Sequence, residues 1–152
     1  LLQGFFYVGK MENLSLSGLF ISAFISSTLA PGGSEAVLAY FVLHPTHWSV
    51  AQLIATATVG NTLGALTTWL LGRIAAKKYP VEAILSLKKQ QAIGWVKKWG
   101  CWVLLFSWLP IIGDGLCFAG GWLKLPLLRA VMAILLGKAA RYWVVVLLVS
   151  LN

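Results

Sequence analysis

Charge is what this 152-residue sequence has least of. Only 11% of its residues are Asp, Glu, Lys or Arg, under half of the roughly one quarter typical of soluble domains. Acids are scarcer still, with 4 Asp+Glu against 12 Lys+Arg. So few polar groups cannot cover a soluble surface, which excludes an ordinary cytosolic enzyme and a disordered regulator. With 2 Cys and 2 His, neither a secreted disulfide scaffold nor a multi-cysteine zinc framework is available. What fills the sequence instead is apolar: 59% hydrophobic residues and a mean hydropathy of +0.84. In a soluble protein the net charge of +8 would point to nucleic acid. Beside this hydropathy it points to anionic lipid headgroups. The expectation is one small integral membrane domain.

Leu1 to Lys10 precede the first methionine, Met11. They read as a foreign remnant or upstream tail, and the fold argument starts after them. The apolar run that follows is a poor secretory signal, because Glu12 stands where a basic flank belongs and no compact cleavage site follows. A membrane-crossing helix needs about 20 apolar residues, and two stretches supply them, at about 50–72 and 125–151. Two other apolar regions are interrupted. The run 14–30 is broken by Pro31-Gly32-Gly33-Ser34-Glu35, and the run 101–109 by Pro110-Ile111-Ile112-Gly113-Asp114. Each arm beyond a break covers about half the hydrocarbon thickness. The spacing therefore predicts two re-entrant helical hairpins with turns at 31–35 and 110–114, each followed by a transmembrane helix. A kinked spanning helix is the alternative in each case. Irregular backbone at that depth must be surrounded by protein or water.

The expected organisation is repeat one at about 14–73, a basic linker at about 74–98, and repeat two at about 99–152. Arg73, Lys77, Lys78, Lys88, Lys89, Lys97 and Lys98 face only Glu82 across 73–98. The positive-inside rule places that segment in the cytoplasm, as interfacial amphipathic helices. The two halves then have opposite topology. Specific residues repeat this symmetry: Pro31 precedes Glu35 by the same interval as Pro110 precedes Asp114, and Gly60-Asn61 with Gly64 answers Gly137-Lys138 with Arg141. Inverted repeats with interrupted helices are a recurrent transporter plan, with the substrate site at the repeat interface.

Lys138 and Arg141 lie about halfway along the last apolar stretch and share a helical face. Each costs about 2.5–3.5 kcal/mol at the bilayer centre, so each requires a partner or water. Glu35 and Asp114 are the acids at comparable depth. The four are the candidate substrate- and proton-binding residues, with Asn61 beside them; a static ion-pair network holding the hairpins is the alternative. Other chemistry is thin. His44 and His47 lack the further ligands of a metal site, Cys101 and Cys117 read as apolar thiols, and Ser34 beside Glu35 has no orienting third group. Ser15, Ser22 and Ser26, like Thr58 and Thr62, fall near one helical face each and could line a polar path or satisfy backbone. The expectation is no metal, no cofactor beyond a coupled proton, and no enzymatic activity.

The stretches LAPGGSEAVL, GNTLGALTTWLLGR, FSWLPIIGDGLCFAGGWL and GKAARY resemble the DedA family of VTT-domain membrane proteins, and within it the short YqaA-like branch. The resemblance runs from about Met11 to the C-terminus. It implies two facing re-entrant hairpins, a bacterial inner-membrane location, and movement of phospholipids or polyprenyl-phosphate carriers linked to the proton motive force. Glu35 and Asp114 match membrane-embedded acids of this branch, and Lys138 and Arg141 its basic pair. Better-known members carry Arg where this chain has Ser107 and Gly113, and an acid where it has Gly33, which leaves the substrate open. The expected partners are membrane lipids with anionic headgroups and no nucleic acid, with homo-oligomerisation left open. The competing class is a non-transporting membrane protein, an assembly or envelope-integrity factor or an embedded enzyme, that uses the same charges structurally.

Overall fold

A computed structural model of the protein describes residues 16–28, 33–44, 48–79, 97–109 and 112–152. Among them every regular element is helical: α1 (Leu16–Thr28), α2 (Gly33–Leu43), α3 (Val50–Lys78), a 3₁₀ helix (Gly100–Trp108), α4 (Ile112–Trp122) and α5 (Leu127–Ser150). Pro31, Gly32 and Pro110, expected in the two turns, lie outside the described residues, as do His47 and most of the basic linker. Ser34 and Glu35, also expected in the first turn, stand in the first turn of α2, and Asp114 stands in that of α4. Carboxylates are favoured there by the unpaired amides and the helix dipole.

Local signals explain the boundaries. Ser49 Oγ accepts the Gln52 amide N–H at 3.2 Å, and Gln52 Oε1 accepts the Ser49 amide N–H at 2.9 Å. This reciprocal capping box starts α3. The helix runs on through Ile74 to Lys78, past the expected linker boundary, because its last turn places Lys77 and Lys78 at the negative end of the dipole. Between α4 and α5, Lys124 adopts φ +57°. Its N–H bonds the Gly121 carbonyl and that of Leu125 bonds Gly120, both at 3.0 Å, a Schellman stop. Pro126 follows and opens α5.

The arm at 100–108 departs from the expected α-helix. Three residues per turn eclipse side chains at i and i+3, so Leu104 and Ser107 turn inward while Trp102 and Trp108 stay exposed. Gly100, at φ +56°, separates this element from the helical residues before it.

Two apolar clusters occupy opposite ends of the helix stack. One joins Leu19, Ala23, Leu38, Phe41, Leu53, Ala57, Tyr142 and Val146 from α1, α2, α3 and α5. The other joins Ala65, Trp69, Leu104, Cys117, Ala130 and Ile134 from α3, the 3₁₀ helix, α4 and α5. Between them α3 buries Thr58, Asn61 and Thr62, and α5 buries Lys138. Close approach along the seams depends on absent side chains. A Cβ at Gly60 or Gly64 would lie 2.6 Å from the Phe20 or Phe24 carbonyl oxygen of α1, and one at Gly121 would overlap the Trp69 carbonyl of α3.

The outer surface is apolar. Leu63, Leu70, Leu71 and Ile74 on α3, with Leu128, Met132, Leu136, Leu147 and Leu148 on α5, are exposed, which suits lipid and not water. Among the described residues α5 alone is both long and apolar enough to cross a membrane. The second expected span, α3, has the length at 29 residues, but its inward face of Thr58, Asn61 and Thr62 lowers its hydropathy.

Candidate functional site

The layer between the two apolar clusters holds the charges. From α5, Lys138 Nζ reaches Asp114 Oδ1 of α4 at 3.2 Å, and Arg141 pairs with Glu35 of α2. One turn of α5 thus faces carboxylates from two different helices, and the interior charges balance. Lys138 is 1% exposed, whereas Asp114 keeps 25%, Arg141 13% and Glu35 19%. Asp114 sits at the edge of the layer, where water or a ligand can reach it, with the Lys138 ammonium sealed behind it, whereas both carboxylate oxygens of Glu35 are buried against Arg141.

Hydroxyls extend both pairs. Ser27 Oγ of α1 donates to Asp114 Oδ1 at 3.5 Å. Ser34 Oγ lies 2.8 Å from the Tyr142 hydroxyl and donates to Ser26 Oγ at 3.2 Å. Ser34 is therefore a buried link between α1, α2 and α5, not a nucleophile activated by its neighbour Glu35. Asn61 Nδ2 donates to the Ala23 carbonyl at 3.0 Å, tying α3 to α1 at the same height. The Asn61 Oδ1, Thr58, Thr62 and Ser107 oxygens are buried with no hydrogen-bond partner among the described residues. Buried polar atoms are rarely left so, and this layer is where water or a polar ligand would satisfy them.

Gly113 packs its Cα against the Ser107 carbonyl, leaving no room for a side chain, and Gly33 is exposed with open space around it. His44 Nδ1 lies 2.9 Å from the Tyr40 carbonyl and its ring stacks on Tyr40, a helix-end arrangement that belongs to no metal-ligating group among the described residues. Sequence reasoning missed Tyr142 and Ser27. The signal for Tyr142 was its position one turn after Lys138, on the same face; Ser27 carried none, because a serine in an apolar helix is ambiguous.

This is a helical membrane protein with a charged layer in its interior. The VTT domain family model matches residues 13–151, and the chain belongs to that family. It is 43% identical over 135 residues to the inner membrane protein YqaA of Escherichia coli, covering 86% of this chain and 88% of that one. It is 36% identical to an uncharacterized protein of Haemophilus influenzae, over 91% of this chain and 89% of the relative. A Methanocaldococcus jannaschii relative, uncharacterized protein MJ0201, is 26% identical over 93% and 88%. None of these three names designates an enzyme. No solved structure matches the chain.

Proposed function

We propose that the chain is a lipid transporter of the bacterial inner membrane, a flippase or scramblase for phospholipids or polyprenyl phosphates, coupled to protons at Glu35 and Asp114. The observation that carries this is the layer of two acids and two bases between two apolar clusters. A static core would be cheaper without it, since desolvation offsets much of the attraction in buried ion pairs. Ionisable groups at membrane depth mark ion and substrate pathways. The name of the Escherichia coli relative supports the location.

Hairpins that re-enter the membrane fit the dimensions. α1 has 13 residues and α2 has 11, roughly 20 and 17 Å, and each is too short to cross a hydrocarbon core of about 30 Å. α1 packs on α2, and the 3₁₀ helix packs on α4. The second arm of each pair also packs on the long helix of the other half, α4 on α3 and α2 on α5. A Cβ at Gly137 would meet the Leu105 carbonyl oxygen at 2.6 Å, as one at Gly60 meets Phe20. These reciprocal contacts support an inverted repeat. The end of the stack carrying Arg73, Lys77, Lys78, Lys97, Lys98 and Lys124 is then cytoplasmic.

A phosphate headgroup at the layer needs cations in place of its hydration, and Lys138 with Arg141 supply them. Ionised Glu35 and Asp114 compete for those cations; protonated, they release them. Proton uptake thereby favours anion binding, and proton loss expels the anion. In vesicles with labelled lipids, transport of anionic lipid should depend on pH, and Glu35→Gln should flatten that dependence. Lys138→Ala and Arg141→Ala should slow anionic lipids more than neutral ones. An unchanged pH profile in folded Glu35→Gln refutes the coupling. A second reading, a structural clamp, is favoured by Glu35, Asp114, Lys138 and Arg141 each already having a partner; it predicts stability losses with no lipid movement in any variant.

A further inference from the structure

The outer face of the second half carries a feature that the charged layer does not use. The 3₁₀ helix and the first half of α5 enclose an apolar recess of about 510 Å³, lined by Trp102, Leu105, Leu128, Met132 and Leu136, with Arg129 as its single charged residue. Leu128, Met132 and Leu136 recur every four residues and form one ridge along α5. Trp102 and Leu105 are eclipsed on the facing 3₁₀ helix. A second apolar recess of about 550 Å³ lies on the other side of Trp102 and Leu105, lined also by Trp99 and Phe106.

The recess has a direction. Cys101 and Arg129 line it near the starts of their helices, while at the other end the Leu105 carbonyl lies under Gly137. The two elements therefore run parallel, and the inner end of the recess reaches the level of Gly137. Its outer end is basic: Lys97, Lys98, Lys124 and Arg129 are all exposed there. Trp122 Nε1 donates to the Tyr79 carbonyl at 2.8 Å, which brings the Lys77–Lys78 end of α3 to the same level. Both acids among the described residues, Glu35 and Asp114, are taken by Arg141 and Lys138. No described acid pairs with Arg129.

We infer that this recess seats one anionic phospholipid, its phosphate on Arg129 at the basic end and an acyl chain between Trp102 and the Leu128–Met132–Leu136 ridge. A zwitterionic lipid fills the same apolar volume but brings its own cation toward Arg129, so the seat discriminates by headgroup charge. An arginine with no acid partner among the described residues, at the mouth of an otherwise apolar recess, selects for a molecule that is anionic at one end and hydrocarbon beyond it. The chain runs along α5 toward the level of the charged layer, so the seat is an entry position for the transport proposed above. Occupancy itself needs only that this face meet lipid.

Native mass spectrometry of the protein released from nanodiscs of equal phosphatidylglycerol and phosphatidylcholine content tests the seat. Phosphatidylglycerol should be retained preferentially. Arg129→Gln should lower that retention about fivefold, the worth of one arginine beside an anionic surface, and leave phosphatidylcholine unchanged. Met132→Trp, which adds bulk in the recess from an exposed position, should lower both, with a normal size-exclusion profile in each variant. Lys77→Gln, at the same end but outside the recess, should change nothing. An equal effect of Lys77→Gln reduces the seat to diffuse surface charge and overturns it. Competition by soluble glycerol phosphate overturns it in favour of a headgroup-only site. Oxidative Cys101–Cys101 cross-linking in membranes overturns it in favour of a contact between two copies. Selective retention without lipid movement in vesicles supports the seat and removes transport; lipid movement without selective retention does the reverse.

Discussion

The two long helices meet the same layer with different residues. α3 brings Gly60, Asn61 and Gly64, and α5 brings Gly137, Lys138 and Arg141. On α3 the small residues admit the carbonyls of α1, and Asn61 adds one hydrogen bond to Ala23. On α5 one glycine serves the seam, and the next two positions of the motif hold both interior cations. α3 is thus the packing helix and α5 the charge helix. Carboxylates from both halves, on α2 and α4, converge on α5 alone. A framework with both of these cations on one helix gives a ligand a single face to bind.

The two ion pairs sharpen that comparison first. Asp114→Asn leaves Lys138, 1% exposed, without its counter-charge, and breaking a buried pair in this way costs about 3–5 kcal/mol. Glu35→Gln leaves Arg141, which at 13% exposed keeps some access to water, so its loss should be distinctly smaller. Unfolding followed in detergent micelles would rank them. Equal losses would show that the two pairs are buried alike and break the distinction.

The seams come next. Gly121→Ala drives a methyl into the Trp69 carbonyl and Gly60→Ala one into that of Phe20, each forcing helices apart at about 1–3 kcal/mol. Gly137→Ala should cost a similar amount, since Leu105 stands where Phe20 does. Gly33→Ala, with nothing within 4 Å, should cost nothing. The same unfolding assay checks all four, and a harmless Gly137→Ala would mean that the α5 seam is looser than the α3 seam.

Much of this was legible in the sequence because membranes punish unpaired charge. Four ionisable residues in otherwise apolar stretches had to meet or reach water, so Glu35, Asp114, Lys138 and Arg141 could be named as a group; which acid faces which base could not. That choice depends on the rotation of α5 against α2 and α4, which no residue type encodes. The all-helical class followed from hydropathy, yet the 3₁₀ winding of 100–108 did not. Its run of Trp, Val, Leu and Phe is apolar on every face, so neither helical period left a mark. The polar face of α3 was visible as Thr58 and Thr62, but Tyr142, which bonds Ser34 in the same part of the interior, was hidden among aromatics that suit any membrane interface.

The smallest effect concerns hydroxyls, and there the two halves again differ. In the first half Ser34 is fully buried and lies 2.8 Å from the hydroxyl of Tyr142, an equally buried residue that reaches it from α5. Because Ser34 donates to Ser26, the tyrosine hydroxyl must donate to Ser34. Tyr142→Phe keeps the ring in its apolar cluster and deletes that donor, so the loss is that of one net hydrogen bond, about 0.5–1.5 kcal/mol. Ser34→Ala removes both contacts of the serine, and the double variant should lose less than the two singles together, because the pair shares one bond. In the second half Ser107 is equally buried, but its hydroxyl has no partner among the described residues. Removing an unsatisfied hydroxyl forfeits no bond and relieves its desolvation, so Ser107→Ala should leave stability unchanged or raised. A Ser107→Ala loss as large as that of Tyr142→Phe would mean that the Ser107 hydroxyl is held by water in the charged layer, and the contrast between the halves would fail at that position.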